Sequence, residues 1–113
     1  MQEQSSDDKE HLLLEIQRKF ASGAWVYTKH AVDRAIERGI WSYDIEEAIE
    51  TGEIIEDYPS DKYGPSCLIL GWEEKRPLHV QVSYPHPEEK IKVITLYEPG
   101  LEEWKEGFRE RKE

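Results

Sequence analysis

The segment TKHAVDRAIERG, residues 28–39, sets His30, Arg34 and Arg38 at successive four-residue steps. At about 100° of rotation per residue, a helix puts these three along one edge and Ala31, Val32, Ala35 and Ile36 on the other side. Two guanidinium groups one turn apart repel by roughly 0.2–0.5 kcal/mol unless an anion lies over them. That anion is either internal or external. Asp57, Asp61 or the Glu-rich stretch after Ser42 could fold over the arginines as a network of ion pairs. Alternatively, both arginines grip a phosphate while His30 carries a proton near neutral pH.

The chain around this cluster is acidic, with 15 Lys plus Arg against 25 Asp plus Glu and a formal net charge of -10 over 113 residues. Nonspecific nucleic-acid affinity comes mainly from Lys and Arg neutralising phosphates, so any contact with RNA must be local. The length and the 37% hydrophobic content suit one domain with a modest core. No apolar run approaches the roughly 20 residues that cross a bilayer, and the opening MQEQSSDDKEH has neither the basic nor the apolar part of a signal peptide. A cytoplasmic protein with no membrane partner is expected. The lone Cys67, within SCLILGW, has no partner for an internal disulfide and reads as a small buried residue.

Residues 1–8 are polar and read as a flexible tail ahead of a single domain over residues 9–113. Leu12, Leu13, Ile16 and Phe20 recur at helical spacing, and ASGAW breaks that helix. Thr28 suits the cap of a second helix and Gly39 its left-handed stop. Ser42 and Gly52 bracket a third, with Ile45, Ala48 and Ile49 as its apolar stripe and Glu46, Glu47 and Glu50 facing water. Beyond Gly52 the apolar period falls to about two: EIIEDYP, SCLILGW, LHVQVSY and IKVITLY read as four strands of an antiparallel sheet. Leu78, Val80, Val82 and Tyr84 alternate with His79, Gln81 and Ser83, so His79 is expected on the polar face. The expected core joins Leu68, Leu70, Val80, Val82, Ile94, Ala35, Ile36, Ile45 and Ile49, with Cys67 and Ile69 as the other phase of the continuous run SCLILGW. Leu101, Trp104 and Phe108 predict a short C-terminal helix. The expected fold class is α+β, with N-terminal helices packed on one face of that sheet.

Taken in order, YTKHAVDRAIERGI, GEIIEDYPSD, PSCLILGW, RPLHVQVSY and VITLYEP, followed by a Trp, resemble the uncharacterised prokaryotic family called domain of unknown function four-two-five-eight, over roughly residues 25–104. The family is similar in layout to RelE/ParE-like toxins of toxin–antitoxin pairs. This resemblance implies metal-independent cleavage of mRNA, in which the 2′-hydroxyl attacks the adjacent phosphate and cationic side chains stabilise the developing charge. It implies His30 or His79 as acid or base, and Arg34, Arg38 and Arg76 as phosphate-binding residues. It also implies a cognate antitoxin with a zinc-finger or helix-turn-helix domain. No cofactor and no metal are expected.

Tyr58 and Tyr97 suit either base stacking or strand packing. His30 and His79 with Asp57 or Asp61 lack the local spacing of a metal motif. His11 and His86 read as solvated bystanders. Neither Ser66 nor Cys67 sits in the sharp Gly-bounded turn of a nucleophile. The alternative function is a non-catalytic protein-binding module, which the acidic balance favours. Proximity of His30, Arg34 and His79 in one groove is the expectation that separates the two.

Overall fold

The computed structural model describes residues 6–62 and 64–113. Helix α1 runs over Ser6–Ala21, strand β1 over Trp25–Tyr27, helix α2 over Lys29–Arg38 and helix α3 over Ser42–Glu50. Strands β2 (Glu53–Tyr58), β3 (Ser66–Glu73), β4 (Arg76–Ser83) and β5 (Ile91–Tyr97) follow. The part of the expected polar tail that covers residues 1–5 lies outside the described residues. None of the described helices is long and apolar enough to cross a membrane.

Local chemistry explains the helix ends. Thr28 Oγ1 accepts the Ala31 N–H at 3.1 Å, and the same hydroxyl donates to the Ile94 carbonyl at 3.0 Å, so one side chain caps α2 and ties it to β5. Gly39 closes α2 at φ 64°, a left-handed conformation that costs a glycine little. At α3, the Asp44 carboxylate reaches back to accept the Trp41 N–H at 2.8 Å.

The sheet corrects the expected architecture. It has five strands in the order β1-β5-β4-β3-β2, and it is mixed, because β1 pairs parallel to β5 through Trp25↔Ile91 and Tyr27↔Val93. The expected four-stranded antiparallel sheet, RelE/ParE-like in layout, is therefore replaced. Three residues are too few to show an alternating pattern, so β1 hides inside what reads as a helix-breaking linker. The predicted C-terminal helix is also absent. Residues 98–113 form turns closed by a bridge between Trp104 and Arg111, and Gly107 and Phe108 both adopt positive φ, 90° and 63°, which no α-helix accommodates.

All three helices pack on one sheet face. Ile16, Phe20, Ala31, Ala35, Ile45, Ala48 and Ile49 meet Cys67, Ile69, Leu78, Val80, Val82, Ile91, Val93 and Leu96 in one buried cluster. Strand β3 therefore takes the second of its two open phases. Leu68 and Leu70 are buried too, but on the opposite face, beneath the C-terminal turns. Ile36 leaves the expected core altogether, at 74% exposed, and Ile94 is only half-buried at the bulge in β5. Helix α3 lies so close over β3 that a Cβ on Gly71 would sit 1.8 Å from the Ala48 carbonyl oxygen.

Candidate functional site

The expected site residues do not come together. His79 lies on the sheet face away from the helices, yet it is fully buried. Its Nε2 lies 2.9 Å from the Phe108 carbonyl, which can only accept, so this nitrogen carries the proton. Nδ1 then accepts from the Tyr97 hydroxyl at 3.2 Å, and the Trp104 ring stands edge-on at 4.4 Å. Burial lowers the imidazole's pKa, against the raising effects of the Phe108 carbonyl and the Glu56 carboxylate. The alternation placed His79 on the side away from the helices, but the expected exposed polar face is instead buried, with Trp104 and Phe108 against the imidazole.

Arg34 pairs with Glu37 on its own helix at 2.9 Å. Arg76 pairs with Asp44 at 3.3 Å and with Glu73 at 3.2 Å. It starts β4, whose other end is Ser83, about 23 Å away at the usual rise per residue. Arg38 is exposed on the same helix flank as His30 and Arg34. The anion beside Arg34 is thus Glu37, a neighbour in sequence. Tyr97 packs against His79, and Tyr58 donates to Glu56. Burial pushes the Tyr58 hydroxyl up to about 12, helped by that bond. Both tyrosines serve packing and hydrogen bonding on the covered face.

Only His30 of the expected acid–base pair opens onto a groove. This groove, about 920 Å³, lies where the first turn of α2 meets the end of β4 and the start of β5, and it is also lined by Ser83, Tyr84, His86, Glu89, Lys90 and Lys92. Its walls are held from several sides. Ser83 Oγ accepts the Lys92 N–H at 2.9 Å. The Lys19 ammonium of α1 donates to the carbonyls of His86 at 2.9 Å and Glu89 at 2.7 Å, fastening the β4–β5 connection that carries His86. Tyr84 donates to Asp57 across the sheet end, and burial together with that carboxylate raises its pKa.

His86, Lys90 and Lys92 are what sequence reasoning missed. They carry no pattern of their own, since two lie in a Pro-containing connection and the third is the second residue of β5. Chemically, the groove offers two imidazoles, each with a ring nitrogen able to accept or donate a proton, and two ammonium groups that can neutralise a phosphate; among the described residues that line it, Glu89 is the one carboxylate. Among the described residues no group of three or more His, Cys, Asp and Glu side chains converges as a metal site would require. Cys67 is buried beneath the helices, which pushes its thiol up to about 12.

No curated protein and no solved structure matches the chain. Over residues 27–98, from the last residue of β1 to just past β5, it does match a family model, and that span takes in α2, α3 and every groove residue described above. The chain belongs to the family described as Domain of unknown function (DUF4258).

Proposed function

We propose that the groove binds a single RNA strand by its phosphates and that the protein is a metal-independent endoribonuclease, with His30 and His86 as acid and base. One observation carries this reading. In a chain of net charge -10, two imidazoles and two ammonium groups from separate segments line one groove. One imidazole takes the proton of a ribose 2′-hydroxyl as its oxygen forms a bond to phosphorus. The bond from phosphorus to the 5′-oxygen breaks, and that oxygen takes a proton from the other histidine, held as imidazolium. Lys90 and Lys92 neutralise charge on the non-bridging oxygens. The product is a 2′,3′-cyclic phosphate. A toxin role, restrained by an antitoxin partner, extends the proposal.

The second reading, a protein-binding module without catalysis, is favoured by a different observation. His79 is buried, and Arg34 and Arg76 are taken up in internal ion pairs. The test is incubation of the purified protein with mixed-sequence single-stranded RNA in the presence of a chelator, with fragment ends identified. The nuclease reading expects cyclic-phosphate ends and a loss of about 100-fold or more in His30→Ala and His86→Ala. Intact RNA at high protein concentration selects the module. Regulated expression with growth and RNA integrity followed together tests the toxin role.

A further inference from the structure

The ammonium of Lys19 turns its donors onto one short stretch of chain: the Glu89 carbonyl at 2.7 Å, the His86 carbonyl at 2.9 Å and the Pro87 carbonyl at 3.4 Å. His86 stands between Pro85 and Pro87, neither of which has an N–H to donate. Carbonyl oxygens are therefore what this stretch offers to a holder, and a compact ammonium with three rotatable donors suits them. The His86 carbonyl also accepts the Glu89 N–H at 3.1 Å, so the backbone that bears the imidazole is held from two directions.

The holder is itself anchored. Lys19 lies in the last turn of α1, where its own carbonyl accepts the Ala24 N–H at 2.8 Å and the Ser22 hydroxyl at 3.0 Å. Ile16 and Phe20 of the same helix are buried in the core. Ala24 in turn accepts the Ile91 N–H at 3.0 Å, which ties the segment after α1 to the start of β5. The His86 side chain is exposed and packs in no core, so its place in the groove depends on the backbone beneath it. His30 differs, because it rides on the first turn of α2, which the Thr28 cap fixes without α1.

We infer that Lys19 is a positioning residue: by gripping the carbonyls of the β4–β5 connection it keeps the His86 imidazole in the groove with His30, so α1 is part of the functional unit although it lies outside the matched span. Its effect on cleavage rests on the reading of His86 as acid or base. Its effect on the placing of the ring does not, and the two are measured separately. Without the ammonium the connection keeps its internal turn bond but loses its tie to the end of α1, and a proton-transfer group that wanders is seldom in line with the reacting oxygen.

Lys19→Met keeps the aliphatic stem and removes the ammonium; if it fails to fold, Lys19→Gln takes its place. On single-stranded RNA its kcat should fall about ten-fold with KM within about two-fold of wild type, because a misplaced acid or base costs the chemical step more than binding. In a His86→Ala background the same substitution should cost no more than about two-fold further, since residues that act as a unit are not additive. Lys19→Arg keeps a cationic donor and should stay within about three-fold of wild type. Independently of turnover, NMR relaxation of the histidine ring carbons should show the His86 imidazole becoming more mobile in Lys19→Met while that of His30 is unchanged. A fully additive loss in the double variant, or an unchanged His86 ring in Lys19→Met, would overturn the proposal. A wild type that leaves RNA intact, but whose His86 ring loosens in Lys19→Met, would sink the nuclease reading and uphold the placing of His86 by Lys19.

Discussion

The two faces of the sheet are closed by different physics. On one, three helices lay aliphatic side chains on Ile69, Leu78, Val80 and Val82, and the contact is almost wholly apolar. On the other, a single strap of turns, residues 98–113, covers Leu68, Leu70 and His79 with one large ring, Trp104, and fixes its margins with charge. Arg111 makes a two-pronged bond to Glu56 at 2.9 and 3.1 Å and lies 4.6 Å from the Trp104 ring centre, while Arg109 pairs with Glu53. Burial alone would raise the Glu56 carboxyl, but the bonds from Arg111 and Tyr58 outweigh it and hold its pKa below the usual range. Apolar packing carries no titrating or screened charge, whereas the ion pairs of the strap respond to both pH and ionic strength. The matched family region ends at residue 98, so all of the strap after its first residue lies outside it, as α1 does at the other end.

Trp104→Ala tests whether the strap is held by its ring or by its charges. The expected loss is about 3 to 5 kcal/mol, the usual cost of deleting a buried tryptophan, measured by denaturant unfolding. A loss under about 1 kcal/mol would mean that ionic contacts alone hold the strap.

On the helix face, Gly71→Ala should cost about 3 kcal/mol, the upper end of the range for overpacking, because the added methyl meets the Ala48 backbone rather than a movable side chain. Its unfolding midpoint should drop equally at pH 5 and pH 7. A drop confined to low pH would break the distinction between the faces.

Acidification should weaken the strap first. His79 is lowered from 6.5, so the folded state resists its protonation, and the stability it contributes is complete above about 6.5 and lost as pH falls toward the folded value. Glu56 is lowered from 4.5 and adds a further loss as pH falls through its folded value. Thermal midpoints from pH 7.5 to 5 should therefore decline in the wild type and decline less in His79→Gln. Equal slopes would remove His79 from the account.

The smallest expected effect is that of Arg111→Gln, about 1 kcal/mol, shrinking further in high salt because the pair is partly exposed. A salt-independent loss would indicate that Arg111 acts by packing on Trp104 instead.

Short-range order was legible in the sequence because its causes are short-range. The Thr28 cap, the Gly39 stop, the alternation through Val80 and Val82 and the helical stripe of Ile45, Ala48 and Ile49 each depend on residues within a turn or two of one another. The helix flank bearing His30, Arg34 and Arg38 follows from the same periodicity. Only the tertiary structure decided which segments lie side by side. Nothing local states that Trp25–Tyr27 pairs with Ile91–Val93, that SCLILGW buries one phase under helices and the other under a strap, or that Phe108 supplies the carbonyl facing His79. A spacing rule cannot place His86 and Lys92 beside His30 either, because their meeting depends on where α2 crosses the end of the sheet and on Lys19 holding the β4–β5 connection. Contacts between residues dozens of positions apart are set by the sum of packing over the whole chain, and no window of sequence contains that sum.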